Sequence, residues 1–139
     1  EEFPHGFTSA GHPVGCAIAN KAIALIVDGG LFDNACMVSK SFHRCLDRYA
    51  DHPHIGEIRG IGLMAALEVV KDKSTKEPFG SQANISERIA NAALAQGLIC
   101  RPLGQAIVLC PPFIITDKEI DELFERLDRA MESVFSNAR

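Results

Sequence analysis

The 139 residues are enough for one domain with an ordinary hydrophobic core, and 47% hydrophobic with 23% charged residues is typical of globular proteins. The net charge is −4 and the sequence has no basic block, which argues against nucleic-acid binding and against attachment to an anionic membrane. The longest apolar run, residues 22–27, is too short to span a bilayer.

The five cysteines are odd in number and include no CxxC pair, which argues against a zinc site or a disulfide framework. Each lies among apolar neighbours, so we expect small buried side chains rather than reactive thiols. They are Cys16, Cys36, Cys45, Cys100 and Cys110. Unpaired cysteines and the lack of a signal peptide predict a cytoplasmic protein. The chain begins with Glu-Glu-Phe rather than Met, and we expect the natural start to lie upstream.

Two helices are predicted in the first third of the chain. Pro13 suits a first helical turn, and the apolar residues at 14–27 nearly encircle the axis, so this helix should be buried. The Asp-Gly-Gly segment at 28–30 ends it. The apolar side chains of a second helix recur every three or four residues until His52-Pro53 ends it. That stripe comprises Leu31, Ala35, Val38, Phe42, Leu46 and Tyr49.

Four short strands are predicted in two pairs. The first pair is a strand near residues 57–59 and a continuously apolar strand at 63–69, joined by a glycine turn. A polar loop or hairpin arm follows at 71–82. The second pair flanks the Pro-Leu-Gly turn at 102–104.

Two further helices are predicted from capping boxes. Asn84 and Glu87 resemble the box that opens a helix, and Gly97 ends that helix. Thr116 and Glu119 form a second box, which opens a long final helix. Its apolar face comprises Ile120, Leu123, Phe124, Leu127, Met131 and Val134.

This order of elements predicts an α/β fold of the α+β kind, with a small, mostly antiparallel sheet of about four strands covered by helices. The first helix does not fit that plan because it is too apolar for the outside of a small domain. We expect it to pack against material absent from this chain.

The polar segment before the first helix is the first candidate site. A helix N-terminus offers unpaired N–H groups and partial positive charge, and Thr8 and Ser9 add hydroxyl donors, so a phosphate or carboxylate can bind there. Spacing alone favours an ordinary helix entry with turn residues. His5 and His12 have no HxH or HxxxH spacing that would indicate a metal site.

Arg101 is the second candidate, since a guanidinium between apolar residues at a strand end needs a carboxylate or phosphate partner. A structural ion pair fits its spacing equally well. Arg59 follows Glu57 within one short strand, and we interpret it as structural. His52 and His54 flank a surface proline and should be solvated.

Three stretches together resemble class III, pyridoxal-phosphate-dependent aminotransferases, and most of all their ω-transaminase (amine–pyruvate) branch. They are FPHGFTSAGHPVGCAIANKAI, IGEIRGIGLMAALEVVKDK and ERIANAALAQGLICRPLGQAIVLCPPFIIT. The resemblance covers essentially the whole chain. It implies the C-terminal part of a fold-type I enzyme: residues 1–28 lead from a missing cofactor-binding large domain, and residues 29–139 form the C-terminal small domain.

The resemblance also implies roles for individual residues. Thr8 matches the threonine that reaches the cofactor phosphate of the neighbouring subunit, and Phe7 lies beside it. Arg101 matches the arginine that swings in to pair with a substrate carboxylate and swings out for an uncharged group. Many relatives have an aromatic residue where this chain has Ser9.

The lysine that forms the Schiff base with the cofactor lies upstream of the threonine in this family, as does the aspartate that pairs with the pyridine nitrogen. No lysine of this chain matches the family's lysine motif. The lysines after Thr8 are Lys21, Lys40, Lys71, Lys73, Lys76 and Lys118. No catalytic residue is therefore expected here, and the isolated chain should be inactive.

We therefore expect a homodimeric or tetrameric parent enzyme that moves an amino group from an amine or ω-amino acid to an α-keto acid such as pyruvate. Other class III chemistry, such as decarboxylation or amino-group migration, remains an alternative. So does a structural and dimerisation module without chemistry, or a free-standing anion-binding domain.

Overall fold

The computed structural model describes residues 6–136, so His5 lies outside the described part. The elements follow the predicted order of two helices, two strands, a helix, two strands and a helix. They are α1 (Pro13–Val27), α2 (Leu31–Asp47), β1 (Ile55–Ile61), β2 (Met64–Val69), α3 (Ile85–Ala95), β3 (Arg101–Leu103), β4 (Ala106–Leu109) and α4 (Asp117–Ser136). Short 3₁₀ turns at Arg48–Asp51 and Ser81–Ala83 complete them.

The four strands form one fully antiparallel sheet in the order β1-β2-β4-β3, which confirms the predicted sheet. β1 and β2 form a hairpin closed at Ile61 and Met64. The short strand β3 lies at one edge, where it pairs with β4 alone. The second turn lies at Gly104 and Gln105, slightly later than predicted, because Pro102 and Leu103 still pair with β4.

The core lies between one face of the sheet and helices α2, α3 and α4. Leu67 and Ile107 point into it from neighbouring strands, and both are almost completely buried. Phe42 of α2 and Phe124 of α4 are fully buried, with ring centroids 5.5 Å apart. The helical stripes of α2 and α4 are confirmed, because burying such a stripe stabilises an amphipathic helix on a sheet.

The capping box at α4 is confirmed. The Glu119 carboxylate accepts from the Thr116 backbone N–H at 2.9 Å and from its hydroxyl at 2.8 Å. The Thr116 hydroxyl oxygen accepts from the Glu119 N–H at 3.3 Å. These hydrogen bonds lower the pKa of Glu119.

The predicted capping box at α3 is wrong. Asn84 has left-handed backbone dihedrals, φ 43° and ψ 44°, and its side chain makes no capping hydrogen bond. A capping side chain needs an extended backbone to reach the first turn, and Asn84 does not have one. The prediction of Gly97 as the end of this helix is confirmed, since Gly97 has φ +77° directly after Gln96.

Two predictions about burial are also wrong for this chain. Cys16, Cys36 and Cys110 are exposed, because the apolar residues beside them in sequence do not cover them here. His52 and His54 are half-buried rather than solvated, since His54 stacks on Phe135 at 4.3 Å between ring centroids.

Helix α1 has no buried residue among its fifteen described positions. It lies beside α2 and leaves Val14, Ile18 and Val27 more than half exposed. Within residues 6–136 no single helix is long and apolar enough to cross a membrane. α1 and the helical segment 31–51 meet that criterion only as a pair bent by 60°.

Candidate functional site

The segment before α1 is an exposed turn. The Ala10 N–H donates to the Phe7 carbonyl at 2.9 Å, and the His12 N–H donates to the Ser9 carbonyl at 3.3 Å. These backbone bonds hold the turn without using the Thr8 hydroxyl. Phe7 is 73% exposed and Thr8 is exposed as well, so both side chains can contact a group outside this chain.

The face of the sheet away from the core forms a second candidate surface, which we call the outer face. Cross-strand pairing places Arg59, Ala66, Val108 and Arg101 in one row across all four strands. They line an open cavity of about 690 Å³. The other lining residues are mostly apolar and include Ile61, Met64, Ile99, Cys100 and Cys110.

The two arginines of this row differ in their partners. Arg59 donates to Glu68 at 2.9 Å and lies 3.4 Å from Glu57, and the hydrogen bond to Glu68 raises the pKa of Arg59. The structural interpretation of Arg59 therefore agrees with its contacts. Within residues 6–136, no carboxylate lies within ion-pair distance of the Arg101 guanidinium, which is exposed at the rim of the cavity.

The outer face combines the Arg101 guanidinium with an apolar floor. Such a surface can bind a small anion that carries an apolar substituent, because the guanidinium pairs with the anion while the floor excludes water from the substituent. Burial raises the pKa of the Cys100 thiol, so it stays protonated and is a poor nucleophile. The described residues include no group of three side chains suited to a metal ion.

The structure does not bring the predicted site residues together. Arg101 lines the cavity of the outer face, whereas Phe7 and Thr8 do not line it. The sequence prediction missed the apolar floor around Arg101. The sequence signal for this floor is the alternation of side-chain direction along β1 and β2, which places residues two apart on the same face of the sheet.

Comparison with known proteins shows which family the chain resembles in sequence and in fold. Residues 1–131 match the model of the aminotransferase class-III family. An omega-aminotransferase from Paracoccus denitrificans is 57% identical, with a TM-score of 0.91 over 99% of this chain and 31% of that one. A PMP-bound aminotransferase from Vibrio fluvialis is 55% identical, with a TM-score of 0.89 over 97% of this chain and 30% of that one.

A more distant relative is gamma aminobutyrate transaminase 1, mitochondrial, of Solanum lycopersicum. It is 35% identical over 129 residues, which are 93% of this chain and 25% of that protein. The chain thus spans about a quarter to a third of the length of the relatives it matches. The family match covers almost all of the chain, and its fold matches that of the solved structures. The chain belongs to the class III aminotransferase family.

Proposed function

We propose that the whole protein is a pyridoxal 5'-phosphate-dependent aminotransferase that moves an amino group from an amine or ω-amino acid to an α-keto acid such as pyruvate. Family membership and the similarity to omega-aminotransferases support this reaction class. The observation that carries the substrate assignment is the exposed Arg101 guanidinium at the rim of an apolar cavity.

Arg101 is the group that binds the carboxylate of the keto acid in this proposal. A guanidinium binds a carboxylate through two parallel hydrogen bonds, which fix the orientation of the carbonyl carbon beside it. Because Arg101 is exposed and has no ion-pair partner among the described residues, moving its side chain breaks no ion pair of this part of the chain. The same pocket can therefore accept an uncharged amine substituent once the guanidinium has moved away.

The turn before α1 fits the phosphate of the cofactor. Thr8 presents an exposed hydroxyl, and the described first turn of α1 contains no acidic residue that would repel an anion. The Thr8 hydroxyl would donate to a phosphate oxygen, with Phe7 beside it. When bound, pyridoxal 5'-phosphate supplies the electron sink of the reaction. The lysine that holds it covalently is expected outside this chain.

The assembly is proposed to be a homodimer or a tetramer, with α1 at a covered surface. The exposed apolar side chains of α1 and of the start of α2 support this proposal, since such a surface is unfavourable in water. They include Val14, Ile18, Ile23, Val27, Phe32 and Met37.

The test of this function uses the whole protein loaded with cofactor. We expect consumption of an amine or ω-amino acid to require pyruvate, whereas simple decarboxylation of an amino acid, or migration of its amino group, would proceed without a keto acid. We also expect Arg101→Ala to raise the KM for pyruvate about ten-fold or more and to change the KM for the amine little, because a charge-assisted contact is lost from one substrate only. Arg101→Lys keeps the charge but not the bidentate geometry, so it should give an intermediate KM. Equal effects of Arg101→Ala on both substrates would disprove the role of Arg101.

A further inference from the structure

Ser86 is the one polar residue that is completely buried in the described part of the chain. It lies in the first turn of α3, next to the helix start at Ile85. A buried hydroxyl without a partner would cost free energy, so the hydrogen bond that it makes is informative.

The Ser86 hydroxyl donates to the carbonyl of Gly104 at 2.7 Å. Its second acceptor, the Glu87 carboxylate, lies farther away at 3.1 Å. A hydroxyl has a single proton to donate, and the shorter distance favours the Gly104 carbonyl. Gly104 has φ +60° and forms the turn between β3 and β4. Ser86 therefore links this turn to helix α3 through a hydrogen bond.

This turn belongs to the β3–β4 hairpin, which contains Arg101. Arg101 is the first residue of β3, an edge strand of three residues that pairs with β4 alone. Its neighbour Pro102 has no N–H to contribute to the ladder. Few strand hydrogen bonds thus fix the backbone of β3, and contacts outside the ladder matter more than in a central strand.

A second anchor lies on the other side of Arg101. The Arg126 guanidinium of α4 donates to the carbonyls of Gln96 at 3.0 Å and Gly97 at 2.8 Å, where α3 ends. Arg101 lies between this anchor and the turn held by Ser86. The two anchors restrain the segment that contains Arg101 at Gly97 and at Gly104, while the Arg101 side chain remains exposed and without an ion-pair partner among residues 6–136.

We propose that Ser86 is a positioning residue that holds the β3–β4 hairpin so that Arg101 can bind the substrate carboxylate. The inference rests on the proposed function, because it acts through Arg101. A fixed backbone lowers the entropic cost of placing the guanidinium against a carboxylate, and it has no such effect on a substrate that lacks one. Without the Ser86 hydroxyl the Gly104 carbonyl loses this hydrogen bond, and only packing contacts hold the hairpin against α3.

The test measures KM for pyruvate and KM for a simple amine in the whole enzyme with cofactor. For Ser86→Ala we expect the KM for pyruvate to rise about five-fold, which corresponds to one neutral hydrogen bond, while the KM for the amine stays within about two-fold. Ser39→Ala is a control for the loss of a serine hydroxyl that donates to a backbone carbonyl, here that of Cys36 at 2.8 Å on α2, away from the hairpin. It should change neither constant.

A double variant separates positioning from general stability. In an Arg101→Ala background, Ser86→Ala should add less than about two-fold to the KM for pyruvate, because the group it positions is absent. A full additional rise there would overturn the inference. So would an equal rise in both KM values, or no rise, in the single variant.

If Ser86→Ala does not fold, Gly104→Ala is the second variant, because it perturbs the turn that Ser86 holds. The added Cβ meets no atom within 4 Å, so the φ of +60° alone strains the turn. A selective rise in the KM for pyruvate supports the inference, and an unselective rise or no change overturns it. If Arg101→Ala itself shows no selectivity, the proposed role of Arg101 and this inference both fail. If Arg101→Ala is selective and Ser86→Ala is not, the inference alone fails.

Discussion

Replacing Thr8 with alanine should weaken cofactor binding without disturbing the local fold. The turn is held by backbone bonds from Ala10 to Phe7 and from His12 to Ser9, and neither uses the Thr8 hydroxyl. The variant therefore removes one hydrogen-bond donor to the phosphate. A hydrogen bond to a charged group contributes about 1.5–3 kcal/mol, and the exposure of Thr8 in this chain favours the lower figure. About 1.5 kcal/mol corresponds to about a ten-fold rise in the Kd for pyridoxal 5'-phosphate.

The assay is equilibrium binding of pyridoxal 5'-phosphate to the whole apoenzyme at constant ionic strength. Thr8→Ser keeps the hydroxyl and should bind within about three-fold of the wild type. Ser9→Ala is the matched control, because it removes a hydroxyl from the adjacent position of the same exposed turn. An unchanged Kd in Thr8→Ala, or the same loss in Ser9→Ala, would refute the assignment of the phosphate contact to Thr8.

Three further predictions concern stability and pH. Tyr49→Phe removes the hydroxyl that donates to Asp128, and urea unfolding should show a loss of about 1–2 kcal/mol; an unchanged midpoint would contradict this. Gly97→Ala should lower the melting temperature by several degrees more than Gly80→Ala, because a φ of +77° strains an alanine and the added Cβ displaces the Arg126 guanidinium from the carbonyls that it binds. Burial, followed by the charge of His54, lowers the pKa of His52 below its ordinary 6.5. The neutral, half-buried His52 therefore contributes stability above pH 6.5, and this contribution is lost as the pH falls through the lowered pKa. His52→Asn should reduce the difference in stability between about pH 7 and about pH 5, and an identical pH profile would contradict this.

The sequence predicted those parts of the fold that depend on periodicity and on local capping. The stripes of α2 and α4 repeat every three or four residues, and their side chains form the core. The box of Thr116 and Glu119 was predictable because its hydrogen bonds join residues three apart in the chain. The same pattern failed at Asn84, because asparagine is compatible both with a capping position and with the left-handed conformation that it adopts here.

The candidate site was predictable only in part, since its contacts join residues distant in sequence. Arg101 was identified from its apolar neighbours, but the contrast with Arg59 depends on Glu68, which reaches Arg59 through the pairing of β1 with β2. Ser86 lies inside the capping box predicted for α3, yet its hydroxyl bonds Gly104, eighteen residues away. Strand pairing and helix placement create these contacts, so local sequence patterns do not reveal them.

The most direct test of the account follows the amino nitrogen. A simple amine labelled with ¹⁵N is incubated with the whole protein, pyridoxal 5'-phosphate and pyruvate, and the products are measured by mass spectrometry. The account predicts ¹⁵N-alanine in a one-to-one ratio with the carbonyl product of the amine. Loss of amine without labelled alanine would contradict amino-group transfer, whatever the affinity for the cofactor.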